Sequence, residues 1–136
     1  MSHTFRGERT LMRIFIGESD RCTSGPYHGL PLHDALLRLF RQHGFAGATV
    51  HRAVSGFGAS AKVHTSQILR LSLDLPITIE VVETEEMIRS VLADLDAMID
   101  GGMITLERVR VILYRPAGVA DDDRWRHRIE GLEPAE

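Results

Sequence analysis

Near the middle of the chain, Ser55-Gly56-Phe57-Gly58-Ala59-Ser60-Ala61-Lys62-Val63-His64-Thr65 gathers residue types suited to holding an anion. Glycine has no Cβ, so its backbone N–H can approach a ligand closely, and successive N–H groups in a turn form a concavity for negative charge. Lys62 would add a cation there, with His64 and the hydroxyls close by. The competing reading is a glycine-rich hairpin connection that binds nothing, because a lone Gly-x-Gly is weak evidence. The other basic residues near this turn and the last strand-like run are Arg70, Arg108, Arg110 and Arg115. A nucleotide phosphate needs backbone donors together with two or three such cations. Within one chain they need not converge, but an interface between subunits would bring the turn of one copy beside the last strand of another. Equally, they fit wet strand faces on which basic and apolar residues alternate.

Other chemistries have thinner support. The histidines are His3, His28, His33, His43, His51, His64 and His127, and none stands in H-x-x-x-H spacing. His28 and His33 flank a helix start, but no metal site is expected. Cys22 lies in a charged loop, where an incidental role is more usual than a redox one. Glu18, Asp20, Glu80 and Glu83 sit near strand ends, and acid–base work would need one of them raised in pKa by burial. Ser19, Ser55 and Ser60 have no nucleophile-elbow pattern and no identifiable base. No catalytic residue is expected, no cofactor is required, and a small enzyme using Glu18 or Asp20 as base is the least favoured class.

The bulk numbers bound the problem. A chain of 136 residues with 43% hydrophobic and 26% charged residues fits one ordinary globular domain. A net charge of −3 provides no electrostatic footprint for nucleic acid. The single cysteine excludes an intramolecular disulfide and fits a reducing compartment. No apolar run approaches the roughly 18–20 residues of a membrane span, and the first residues lack a signal-like apolar core. The expectation is a cytoplasmic, soluble protein without direct membrane insertion.

The elements that must position the turn follow from periodicity. Residues 11–17 read as a strand, with Met12, Ile14 and Ile16 alternating against Arg13 and Phe15. Pro31 suits a helix start, Leu32, Leu36, Leu39 and Phe40 form its apolar stripe, and Gly44 is placed to end it. Residues 48–54 read as a second strand, and extended structure resumes over 68–82, clearest at Ile77, Ile79 and Val81. Thr84 with Glu85 and Glu86 opens a second helix, which Gly101-Gly102 ends. Residues 103–114 read as the last strand, and the polar stretch 115–136 as a C-terminal tail. The order β-α-β-β-α-β predicts an α+β, ferredoxin-like domain over 10–114, with a four-stranded antiparallel sheet and both helices on one face. Phe15, Val50, Val54 and the mixed last strand are expected on the bare face, making it apolar enough to favour oligomerisation.

Several stretches in order carry a family resemblance. They are Phe15-Ile16-Gly17-Glu18-Ser19-Asp20-Arg21, Gly47-Ala48-Thr49-Val50, Gly56-Phe57-Gly58-Ala59-Ser60, His64-Thr65, Ile68-Leu69-Arg70-Leu71-Ser72, Asp74-Leu75-Pro76-Ile77 and Gly102-Met103-Ile104-Thr105-Leu106-Glu107. Together they resemble the family called domain of unknown function 190, which is similar to the PII signal-transduction proteins. The resemblance implies a cytoplasmic homotrimer that binds an adenine nucleotide (ATP, ADP or AMP) in clefts between subunits and regulates a protein partner such as a membrane transporter. It places ligand contacts at Gly56, Phe57 and Gly58 and at the later turn Gly101-Gly102, with a phosphate-binding arginine near Arg110. Ala59, Ser60, Lys62, His64 and Arg108 complete the candidate ligand-binding set. The chain departs from PII at Ala59-Ser60, where PII has a glutamine, and at Met103, where PII has a lysine. Its loop over 59–66 is short and lacks the tyrosine that PII enzymes modify. The alternative class is a ligand-independent trimeric interaction module.

Overall fold

In the computed structural model, which describes residues 7–58 and 74–114, the elements follow the expected order. They are β1 (Glu8–Gly17), α1 (Leu32–Gln42), β2 (Thr49–Arg52), β3 (Pro76–Glu83), α2 (Glu85–Met98) and β4 (Met103–Arg110). The sheet runs β2-β3-β1-β4 with every neighbouring pair antiparallel. This is the ferredoxin-like arrangement, with β1 and β3 at the centre and β2 and β4 at the edges.

Alternation on the two central strands decides which face the helices cover. Met12, Ile14 and Ile16 from β1 and Ile77, Ile79 and Val81 from β3 are each no more than 6% exposed. Against them α1 lays Ala35, Leu36, Leu39 and Phe40, and α2 lays Ile88, Val91, Leu95 and Met98. Each large side chain removed from water in this way contributes about 1.5–3 kcal/mol before the entropy of ordering it. Phe40 also stacks on Phe45 beyond the end of α1, with ring centroids 4.9 Å apart. Pro31 is the residue that precedes the first turn of α1, and Gly44 closes the helix in a left-handed conformation at φ +77°. At α2 the Thr84 hydroxyl accepts the Met87 N–H at 3.2 Å, and Glu85 and Glu86 occupy the first turn.

Strand ends follow pairing more than periodicity. β1 begins at Glu8 because Glu8, Arg9 and Thr10 pair with Arg110, Val109 and Arg108 of β4. β4 stops at Arg110 and does not run to Tyr114, and β2 covers only Thr49–Arg52. Pro76 is the first residue of an inner strand, where its missing N–H breaks little of the ladder.

One face assignment is corrected by the register. Val50 lies opposite Ile79, so it belongs to the helix-covered face and packs against the core, away from Phe15. Val54 lies beyond the end of β2 and is 96% exposed. The open face instead carries Leu11, Arg13 and Phe15 of β1, Thr78, Glu80 and Val82 of β3, Thr49 and His51 of β2, and Met103, Thr105, Glu107 and Val109 of β4.

Candidate functional site

Both glycine elements lie at one end of the sheet, after edge strand β2 and before edge strand β4, each resting on the neighbouring central strand. Gly56 has φ +146°, and a Cβ there would stand 3.2 Å from Pro76 Cγ, so the turn rests on the start of β3. Gly102 has φ +153°, and its Cβ would stand 2.5 Å from the Phe15 carbonyl oxygen, closer than real Cβ atoms come. Only glycine fits that approach to β1. Pro76 pairs with Gly17 and Met103 with Phe15, which places both turns at the same end of the sheet, Gly56 against β3 and Gly102 against β1. Gly58 and Gly101 have open space where a Cβ would be, and Phe57 is 84% exposed between the glycines. Ala59, Ser60, Lys62, His64, Arg70 and Arg115 lie outside the described residues.

The carboxylates at this end are engaged. Arg52 Nε donates to Glu18 Oε2 at 2.7 Å, and that bond is the main cause holding the Glu18 carboxyl below its usual range, against the opposing effect of desolvation. Asp20 Oδ2 accepts the Gly17 N–H at 2.9 Å, and Asp74 Oδ1 accepts the Ser19 N–H at 3.1 Å. A depressed Glu18 carboxyl is the reverse of what a neutral-pH acid–base residue needs. Here Glu18 and Asp20 shape the β1 end.

The arginines of β4 lie at the other end. Arg108 pairs with Thr10 and Arg110 with Glu8, whereas the glycine end of the same strand pairs Met103 with Phe15. At roughly 3.3 Å per residue, Arg110 is about 23 Å along the strand from Met103. Arg108 is largely exposed, with Nη1 3.8 Å from Glu8 Oε1. Arg110 is exposed and has no ion pair among the described residues. One chain therefore puts Gly56–Gly58 and Gly101-Gly102 at the same end of the sheet and leaves Arg108 and Arg110 at the other. A pocket using both sets needs a second copy.

Three features escaped the sequence reading. A cavity of about 470 Å³ opens on the bare face toward the arginine end. Leu11, Ala48, Val82 and Val111 form its apolar walls, and Thr49, Glu80 and Tyr114 its polar ones. The small residues of Gly47-Ala48-Thr49 were its visible trace. Next, an ion-paired chain crosses every strand of the bare face. His51 Nε2 approaches Glu80 Oε1 at 3.2 Å, Arg13 Nε donates to Glu80 Oε2 at 2.8 Å, and Arg13 Nη1 donates to Glu107. The Arg13 hydrogen bond is the main cause lowering the Glu80 carboxyl, while hydrogen bonds to Glu80 and Glu107 raise the Arg13 guanidinium. Finally, Glu83 is wholly buried, with Oε2 accepting the Ala46 N–H at 2.7 Å and Oε1 the Thr84 N–H at 3.3 Å. It ties the segment before β2 to the start of α2. No group of three or more metal-ligating side chains is present among the described residues, and none of their helices is long and apolar enough to cross a membrane.

Comparison with known proteins agrees with this architecture. The family model DUF190, described as Uncharacterized ACR, COG1993, matches residues 9–111. A UPF0166 protein of Aquifex aeolicus is 32% identical over 105 residues, spanning 77% of this chain and 94% of its own. A UPF0166 protein of Methanocaldococcus jannaschii is 31% identical over 97 residues, spanning 71% of this chain and 84% of its own. Among solved structures, a candidate PII-like signalling protein from Thermus thermophilus superposes with a TM-score of 0.51 at 20% identity, covering 76% of this chain and 89% of its own. CPII, a nitrogen regulatory PII-like protein from Thiomonas intermedia bound to ADP, AMP and bicarbonate, also gives 0.51, at 15% identity over 76% of this chain and 94% of its own. At these identities the likeness establishes a shared PII-like, ferredoxin-like fold.

Proposed function

The chain belongs to the DUF190 family, and from that premise we propose that it is a non-enzymatic, PII-like regulatory protein. In this reading it forms a homotrimer, binds an adenine nucleotide in the clefts between subunits and passes the state of those clefts to a protein partner such as a transporter. The observation that carries the reading is the separation of the candidate contacts. The glycine turns stand at one end of the sheet and the exposed Arg108 and Arg110 at the other, so a phosphate site using both is completed only across a subunit interface. The ADP- and AMP-bound state of the Thiomonas protein supports an adenine nucleotide as effector. The bare-face cavity adds a slot for a base, because its apolar walls suit a planar ring and the ionised Glu80 accepts a hydrogen bond from an exocyclic amino group.

The ligand-independent interaction module draws on a different observation. Val54 and Phe57, 96% and 84% exposed beside the glycine turn, offer apolar contacts to a partner protein whether or not a nucleotide is bound.

The test is a thermal-shift and calorimetric panel of ATP, ADP and AMP, with and without magnesium, on protein sized by light scattering. A nucleotide at about 100 times its Kd stabilises the folded state by roughly 2.7 kcal/mol. Arg110→Ala is expected to weaken binding by about tenfold or more, as loss of a charge-assisted bond does, while the trimer persists. Unchanged binding in that variant removes Arg110 from the site. A well-formed trimer that responds to no nucleotide favours the interaction module.

A further inference from the structure

On the outer side of the helix layer, away from the bare face, α1, α2 and the loop after β1 enclose a cleft of about 440 Å³. That is the size class of a small-molecule site. Pro26, Leu39, Ala97 and Met98 make its apolar lining. The Tyr27 hydroxyl donates to Gln42 Oε1, which fixes the phenol as a wall, and Ser24 Oγ donates to the Ala97 carbonyl at 2.8 Å, which holds the loop against α2.

The informative pair is His43 and Asp94. His43 Nδ1 lies 3.0 Å from the Leu39 carbonyl, which can only accept, so Nδ1 carries the proton. In the neutral ring Nε2 is then a bare acceptor. It faces Asp94 Oδ2 at 3.8 Å, beyond hydrogen-bond reach. With the ring neutral, two acceptors confront each other across a gap at the mouth of a cleft, and both side chains remain accessible, at 32% and 50%. His43 also caps the C-terminal end of α1, where the helix dipole is negative. Asp94 and the helix end favour positive charge, and Nε2 of the neutral ring accepts from any donor.

We propose that this cleft binds a small organic cation, with an ammonium group donating to both His43 Nε2 and Asp94 Oδ2 and an apolar body resting on Leu39, Ala97 and Met98. The site is independent of the nucleotide reading, since it uses no residue of the glycine turns or of β4. Anions are excluded by Asp94, and a neutral alcohol provides one donor where the site offers two acceptors.

The experiment is a titration of the ¹⁵N-labelled full chain with 2-phenylethylamine, with 2-phenylethanol as the uncharged control, followed by amide and imidazole NMR. Saturable shifts at Tyr27, Gln42, His43 and Ala97 with the amine are expected. Binding should be about tenfold or more weaker for the alcohol, and likewise for the amine on Asp94→Asn, a half-exposed position whose variant is checked for fold by thermal melt. Equal binding of amine and alcohol overturns the proposal, as does unchanged affinity in Asp94→Asn or an absence of saturable shifts. A free protein with both His43 ring nitrogens protonated at pH 7.5 overturns it too, because His43 and Asp94 would then already satisfy each other.

Discussion

The two faces of the sheet come from the same strands, residue by residue, yet they solve different problems. On the covered face Met12, Ile14, Ile79 and Val81 are at most 2% exposed, and the helices complete their surroundings within the chain. On the bare face their immediate neighbours Arg13 and Glu80 join His51 and Glu107 in a chain of ion pairs, flanked by half-buried Leu11, Phe15 and Val82. Exposed pairs of this kind add little to the stability of a single chain. They do fix a pattern of charge that a matching surface must meet. The helices close one face over β1 and β3, whereas the other leaves its charges and half-buried apolar residues uncovered within the chain.

The sharpest way to test that contrast is to truncate adjacent residues that point in opposite directions. Ile14→Ala should cost about 2–5 kcal/mol in denaturant unfolding, because it opens a cavity in a closed core. Phe15→Ala should cost about 1 kcal/mol in chain stability while shifting the light-scattering mass toward the single chain. Equal losses without dissociation would erase the distinction between the faces. An effect below that of Ile14→Ala is expected at the turn between α2 and β4. Gly102→Ala forces a Cβ against the Phe15 carbonyl and strains a positive φ, at about 1–3 kcal/mol in thermal unfolding. A neutral result would show that the turn can move away from β1.

The smallest effect is on pH dependence, and Glu80 of the bare face contributes to it. Glu80 titrates below its usual 4.5 in the folded protein. A carboxyl depressed by folding contributes stability above its unfolded value, and that contribution is lost as pH falls through the folded one. Stability followed by circular dichroism should therefore decline below about pH 4.5, and less steeply in Glu80→Gln. Glu18 shifts in the same direction, so part of the slope remains in that variant. An unchanged slope would remove the Arg13–Glu80 pair as a contributor.

Element order was legible because apolar period and breaker residues agree over each segment. Met12-Ile14-Ile16 and Ile77-Ile79-Val81 name two strands, and Thr84 and Gly44 punctuate helices. Facing was not legible at Val50, because register is set by the partner strand and a shift of one residue exchanges the faces. The extra length of β1 was hidden for a related reason, since Glu8 and Arg9 owe their extension to β4. For the candidate site, residue types were readable and positions were not. Gly56-Phe57-Gly58 and Arg110 stand out in the chain, but only the antiparallel pairing puts them at opposite ends. Glu83 was readable only as a carboxylate near a strand end, and its burial follows from packing that no local pattern encodes.

The central place of β1 has a consequence for how the protein is made. Its partners are β3 and β4, so Thr10 waits for Glu83 and Glu8 waits for Arg110. As the chain leaves the ribosome, β1 keeps one hydrogen-bonding edge open until β3 has followed and the other until β4 has. Such distant pairing makes folding slow relative to helical proteins and leaves an apolar strand available to the wrong neighbour in the interval. A nascent chain stalled before Met103 would present the edge of β1 that β4 later covers, and that edge is where a chaperone would find it.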